Sequence, residues 1–171
     1  DNAQVTSQMA QLSTVTGIDK LNTSLEAMSK SFMANQSLQA ATMIGHSVLA
    51  PGNGLELSSG TGVAGVDLQS AADKVEVSIK DQSGSVVRRI DLGAQEAGTI
   101  PFGWDGKTED GQTLADGKYT FEVAATQGTN TVTADKLGLG KVESVSLGAQ
   151  GVSLNVAGVG AIDATKVKQI F

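Results

Sequence analysis

The chain has 171 residues and a net charge of −6, with 18 acidic side chains against 12 lysines and arginines. This acidic balance argues against nucleic acid and anionic membranes as partners, because both are bound through a basic surface. The lack of cysteine excludes disulfides, thiolate metal sites and a thiol nucleophile. No apolar run approaches the roughly 18 residues that a membrane span needs, so we expect no membrane insertion. The chain begins with Asp1 rather than Met, and we therefore expect an upstream segment.

The first forty residues are predicted to be helical. They contain no proline, one glycine (Gly17), and large apolar residues at every third or fourth position, which is the spacing of one helical face. We call these residues the apolar stripe: Val5, Met9, Leu12, Val15, Ile18, Leu21, Leu25, Met28 and Phe32. Gly17 and the possible capping box Thr23-x-x-Glu26 predict one bent helix or two, with a boundary near residues 17–23.

The apolar stripe packs either on its own domain or on another molecule. It is bordered by Ser, Thr, Asn and Gln and precedes all the β-like sequence, which favours contact with another copy or a partner. We therefore predict that six of its residues are assembly contacts: Met9, Leu12, Leu21, Leu25, Met28 and Phe32.

From residue 41 onward the sequence becomes β-like. Short apolar alternations, such as Val75, Val77 and Ile79, are separated by turn clusters every eight to twelve residues, which is typical of a β-sandwich. The polar segment 58–62 is interpreted as a linker and domain boundary. The sandwich is predicted to occupy residues 62–130.

The stretch from Trp104 to Phe121 is the most informative part of the sandwich. It contains three Asp-Gly pairs, which are strong turn signals, followed by an alternation through Tyr119 and Phe121 that predicts a strand with one buried face. Trp104 is the only tryptophan, and we expect it to be a core residue rather than an exposed binding platform.

Residues 131–171 contain strands that are too short and too few for a sandwich of their own. Paired with residues 41–58 they can close a small barrel, which would make the sandwich an insertion. Residues 148–151 (Gly-Ala-Gln-Gly) separate two apolar stretches of this C-terminal segment.

Few residues are candidates for catalysis or metal binding. His46 is the only histidine, so a His-based metal site or a catalytic triad has little support. Asp105, Glu109, Asp110 and Asp116 could suggest calcium, but their spacing does not match a calcium loop and turn geometry explains the Asp-Gly pairs. We predict no enzyme activity, no cofactor and no metal.

The motif W-D-G-x-x-x-D-G-x-x-L-x-D-G-x-Y-x-F resembles the signature of the immunoglobulin-like or fibronectin-like module of the flagellar hook-capping (FlgD) family. The positions that carry it are Trp104, Asp105, Gly106, Asp110, Gly111, Leu114, Asp116, Gly117, Tyr119 and Phe121. Segments 8–15, 21–25, 36–40 and 44–48 are also similar to that family, in the same order.

The resemblance implies a mainly β fold: a helical assembly segment (1–40), then a tudor-like or SH3-like barrel (41–58 with 131–171) interrupted by a fibronectin III or Ig-like sandwich (62–130). It also implies a non-enzymatic scaffold that sits as a homo-oligomer at the distal end of the growing hook or rod and guides hook subunits into place. Such a protein is made in the cytoplasm and exported through the flagellar type III apparatus, with the export signal upstream of Asp1. The alternative is an extracellular sandwich module for adhesion or carbohydrate binding, which would use exposed loops and would not need the helix.

Overall fold

The computed structural model describes residues 2–148 and 151–171. It begins with one continuous helix, α1 (Asn2–Ala41). The helix is continuous through residues 17–23, so of the two predicted alternatives that of two separate helices is wrong. Thr23 Oγ1 donates to the carbonyl of Asp19 at 2.9 Å, which is a bond of a helix interior and not of a helix start. Residue 1, included in the predicted segment, lies outside the described residues.

Twelve strands follow within the described residues. Their bounds are β1 (Ser47–Pro51), β2 (Gly54–Ser58), β3 (Thr61–Leu68), β4 (Ala72–Lys80), β5 (Val86–Gln95), β6 (Gly98–Trp104), β7 (Gly117–Gln127), β8 (Asn130–Thr131), β9 (Ala134–Gly148), β10 (Gly151–Val156), β11 (Gly160–Asp163) and β12 (Gln169–Ile170). A short 3₁₀ turn (Ala164–Lys166) precedes β12. The prediction of a mainly β chain behind a helical segment is confirmed.

The larger of two hydrophobic cores is enclosed by strands β2 to β7. Strand β7 places Phe121 and Ala125 inward and Glu122 and Ala124 outward, as its alternation predicts. Strand β3 is buried along most of its length because it pairs with both β6 and β9. The larger core consists of Leu55, Leu57, Ala64, Val66, Leu68, Ala72, Val75, Val77, Ile79, Phe102, Trp104, Phe121, Ala125 and Val132.

The smaller core lies between β1, the second half of β9, β10 and the end of α1. It consists of Ala40, Val48, Val142, Val152, Leu154 and Val156. Strand β9 connects the two cores, since residues 134–138 pair with β3 and residues 142–148 pair with β10. The exposed C-terminal strand β12 pairs with β1, so the first and last strands of the β region are neighbours.

The segment 54–62 differs from its prediction. Residues 54–58 were expected in the small barrel, but β2 pairs with β7, and Leu55 and Leu57 lie in the larger core. Residues 58–62 form a tight β2–β3 hairpin turn instead of a linker. Ser59 and Gly60 both have positive φ, at 52° and 74°, which is the geometry of a turn matched to strand twist. The glycine-bounded segment 148–151 includes Ala149 and Gln150, which lie outside the described residues.

Candidate assembly surfaces

The tryptophan of the turn-rich stretch is anchored in the larger core. The Trp104 side chain is 2% exposed, and its Nε1 donates to the carbonyl of Lys107 at 2.9 Å. Its ring packs edge-on against Tyr119, with 4.9 Å between ring centroids. The Tyr119 hydroxyl donates to the carbonyl of Ala115, four residues upstream, at 2.8 Å. These contacts fix the loop between β6 and β7 to the sheet.

The aspartates of the stretch bond to nearby backbone. Asp116 accepts from the amides of Ser59 (2.8 Å) and Gly60 (3.2 Å), which holds the β2–β3 turn against this loop. Asp105 accepts from the amide of Lys107 at 3.2 Å. Gly106, with a φ of 68°, lies so close to Leu57 that a Cβ would approach its methyl groups to about 3.0 Å. Five of the signature positions, Trp104, Asp105, Gly106, Asp116 and Tyr119, therefore take part in the packing and hydrogen bonds of this loop.

Residues 2–148 and 151–171 contain no group of three or more His, Cys, Asp or Glu side chains placed to hold a metal ion. The Glu109 carboxylate accepts from the Arg89 amide at 3.1 Å. His46 Nδ1 lies 3.1 Å from the carbonyl of Phe171, so its ring contacts the last residue of the chain. Nor does any helix of the described residues have the length and hydrophobicity needed to cross a membrane.

The apolar stripe is exposed along its whole length. Met9 is 67% exposed and Phe32 is 69% exposed, and the other stripe residues are similar. The helix meets the rest of the chain only near its end, where Ala40 is buried in the smaller core and Met43 packs beside it. A large exposed apolar surface of this kind is typical of a segment that contacts another protein.

The stripe divides into two faces, which differs from the single face expected from its spacing. In a continuous α-helix each residue advances by about 100° around the axis. A step of three residues therefore falls about 60° short of a full turn, and a step of four residues exceeds a full turn by about 40°. The drift from Val5 to Phe32 adds up to about half a turn. Val5, Met9 and Leu12 form an amino-terminal face. A carboxyl-terminal face on the opposite side is formed by Ile18, Leu21, Leu25, Met28 and Phe32. Val15 lies between the two faces, about 60° from both Leu12 and Ile18.

A seam of close backbone contacts joins the two cores. A Cβ on Gly54 of β2 would lie 2.6 Å from the carbonyl oxygen of Gly158, in the β10–β11 turn. Gly138 also lies close to this region, because a Cβ there would meet Val159 Cγ2 at 2.9 Å and the Gly54 carbonyl at 3.0 Å. Gly140 packs directly against the carbonyl of Ala157. Sequence analysis did not identify this seam, although the 21 glycines were the available signal.

An ion pair also crosses the seam. Lys168 Nζ donates to Asp67 Oδ2 at 2.8 Å, and Thr99 Oγ1 donates to Asp67 Oδ1 at 2.7 Å. The hydrogen bond from Lys168 lowers the pKa of the largely buried Asp67 carboxyl, against the raising effect of its burial, and Thr99 lowers it further. The same bond raises the pKa of Lys168. Because Lys168 precedes β12 and Asp67 lies in β3, this pair ties the C-terminal segment to the larger core.

The chain combines a β-sandwich, a second small β core joined tightly to it, and an exposed apolar helix. These features are typical of assembly proteins, which act through contact surfaces. Comparison with known proteins is specific about the family. The model of the FlgD Ig-like domain matches residues 52–129, and that of the flagellar hook capping protein N-terminal region matches residues 1–27.

The full chain is similar to the basal-body rod modification protein FlgD of Escherichia coli K12. The two are 40% identical over 179 residues, covering 100% of this chain and 78% of the relative. The chain belongs to the FlgD flagellar hook-capping family.

Two solved structures share the fold. FlgD from Pseudomonas aeruginosa is 32% identical, with a TM-score of 0.64, covering 75% of this chain and 98% of that one. FlgD from Xanthomonas campestris, described in connection with hook capping in flagellar assembly, is 28% identical with a TM-score of 0.65 over 80% of this chain and 99% of that one. All three proteins are FlgD, and they give no support to the adhesion alternative.

Proposed function

We propose that this chain is a non-enzymatic scaffold for assembly of the flagellar hook. It acts at the distal end of the growing hook or rod, where it guides the polymerisation of hook subunits. The support comes from the family, whose N-terminal model is described as a hook capping protein, and from the similarity to rod modification proteins along the whole chain.

The observation that carries this proposal is the exposed apolar helix ahead of a tightly braced β region. Residues such as Leu25 (57% exposed) and Met28 (66% exposed) lie far from either core. A scaffold that binds and releases protein subunits needs contact surfaces of this kind, whereas bond chemistry needs a site with positioned acid, base or nucleophile. Met9, Leu12, Leu21, Leu25, Met28 and Phe32 are the proposed contacts with other copies of the chain.

The contacts of the strands support the domain plan that we propose. In this plan residues 1–40 form the assembly segment, and the sandwich interrupts a tudor-like barrel, as the family resemblance implies. We place the first boundary of the sandwich at β2 (Gly54–Ser58), because its leucines pack in the larger core. Export through the flagellar type III apparatus, after synthesis in the cytoplasm, completes the proposal, and the cysteine-free chain suits passage in an unfolded form.

Complementation tests this function directly. The full-length protein containing this chain is expressed in a cell that lacks its own hook-capping protein, and hooks are counted by electron microscopy. We expect the unchanged protein to restore hooks and Leu25→Ser/Met28→Ser to fail. Leu147→Ser is the matched control, since Leu147 is similarly exposed (57%) but lies in β9. Absence of hooks with the unchanged protein would contradict the scaffold function, and normal hooks with the double variant would contradict the role of the helix.

A further inference from the structure

The two faces of the apolar stripe point away from each other and are displaced along the helix. Met9, at the middle of the amino-terminal face, and Leu25, near the middle of the carboxyl-terminal face, lie about 160° apart around the axis and about 24 Å apart along it. One straight partner helix cannot cover both faces. Each helix therefore needs two neighbours, one for each face.

The end of the helix shows how these faces lie relative to the β region. Met33, Gln36, Ser37 and Ala40 are the partly or fully buried residues of its last turns. On the same helical projection they centre about 90° from each apolar face. A neighbour on the amino-terminal face and one on the carboxyl-terminal face would thus stand on either side of the β region, and the β region itself would not block either of them.

The charge of the helix favours a second copy as the occupant. Residues 2–41 contain two acidic and two basic side chains (Asp19, Glu26, Lys20 and Lys30), so the helix is neutral within a chain of net charge −6. Copies of this chain repel each other through the rest of the molecule but not through the helix. Identical copies also leave no apolar face uncovered, because each supplies an amino-terminal face to one neighbour and a carboxyl-terminal face to the other.

We propose that the helices of neighbouring copies pack head to tail, with the amino-terminal face of one on the carboxyl-terminal face of the next. Such a contact joins different patches and is heterologous, so it closes into a ring when the rotation permits. In a ring, all equivalent contacts lie at the same height along the ring axis. Because the two contact faces of each helix are displaced along its length, the helices must be inclined to that axis. The two faces therefore specify a tilted ring of helices. The inference rests on the proposed function in one respect, the assembly of the chain with its own copies.

Cross-linking tests the pairing, because the chain has no native cysteine. Met9→Cys and Leu25→Cys are made separately in the full chain and treated with a short bifunctional maleimide, alone and mixed. We expect a dimer only in the mixture. The double variant Met9→Cys/Leu25→Cys should give a ladder that ends at the closed ring, since the two positions of one helix are too far apart to react together.

Ser13→Cys and Ser24→Cys are the matched controls. Both lie on the side of the helix opposite the β region, about 90° from either apolar face. Reaction of the Met9→Cys and Leu25→Cys mixture should exceed that of the serine pair by on the order of 1,000-fold, because contact gives a millimolar effective concentration to a micromolar chain.

Three results would overturn the inference. Dimers from Met9→Cys alone or Leu25→Cys alone would show like faces in contact, and would leave the hook-assembly function intact. Equal yields for the serine controls would show unspecific collision. No cross-linking at the highest soluble concentration would exclude a second copy as the occupant, while restored hooks in the complementation assay would show that the proposed function stands.

Discussion

The glycine seam gives the most sharply defined prediction for stability. Gly54→Ala adds one methyl group that would lie 2.6 Å from the carbonyl oxygen of Gly158, a distance that real Cβ atoms do not adopt. The neighbouring atom is backbone, so the β10–β11 turn has to move away from β2. Overpacking of this kind costs about 1–3 kcal/mol. For a domain of this length, that corresponds to a decrease in Tm of roughly 3–9 °C.

Thermal unfolding and urea titration, both followed by circular dichroism of the β signal, measure this effect. The matched control is Gly103→Ala in β6, whose added Cβ would have its nearest neighbour at 4.0 Å. We expect the control to be neutral or slightly more stable, since alanine restricts the unfolded chain. If Gly54→Ala unfolds at the same temperature and urea midpoint as Gly103→Ala, the cores are not held together by this close contact.

Three further predictions concern the core, the ion pair and the helix. Phe121→Ala removes the largest fully buried side chain and should destabilise the fold by about 3–5 kcal/mol in urea titrations. Asp67 has a lowered pKa in the folded state, so its ionised form stabilises the fold above its ordinary pKa, and this contribution is lost as the pH falls through the folded value. Lys168→Met removes the main cause of the lowering and should move the acid-unfolding midpoint to higher pH, whereas the control Lys166→Met should not; equal midpoints would contradict the pairing. Gly17→Ala has no atom within 4 Å of the added methyl and should stabilise α1 by about 1 kcal/mol, seen as a higher helical signal on heating.

Local patterns in the sequence predicted those elements whose partners are close in the chain. The alternation through Tyr119 and Phe121 predicted β7, and the Asp-Gly pairs predicted the turns before it. The isolated Trp104 was expected in the core, and its side chain lies there. These features depend on period and turn chemistry, which a sequence displays directly.

Features that depend on distant contacts were not predicted. Leu55 and Leu57 alternate equally well for either core, and only the pairing of β2 with β7 assigns them to the larger one. The two-residue turn at Ser59 and Gly60 looked like a linker because its composition is the same. Gly54 and Gly158 are in contact although more than a hundred residues separate them in the chain. A glycine has no side chain whose pattern could indicate which segment it packs against.

The division of the stripe into two faces was missed for another reason. Each spacing of three or four residues fits a helix, but the side of the helix on which the stripe lies depends on the sum of the angular steps. The angular steps can be added only because α1 is continuous, since a break near residue 17 would have changed the orientation of the following residues.

The central claim is that the exposed helix assembles this protein, and its solution mass tests that claim most directly. Light scattering over a concentration series is made on the full chain, on Leu21→Ser/Leu25→Ser and on the control Leu147→Ser. We expect a defined oligomer for the full chain and the control, and a monomer for the double variant. An oligomer that persists in the double variant, or a full chain that stays monomeric at every concentration, would contradict the claim.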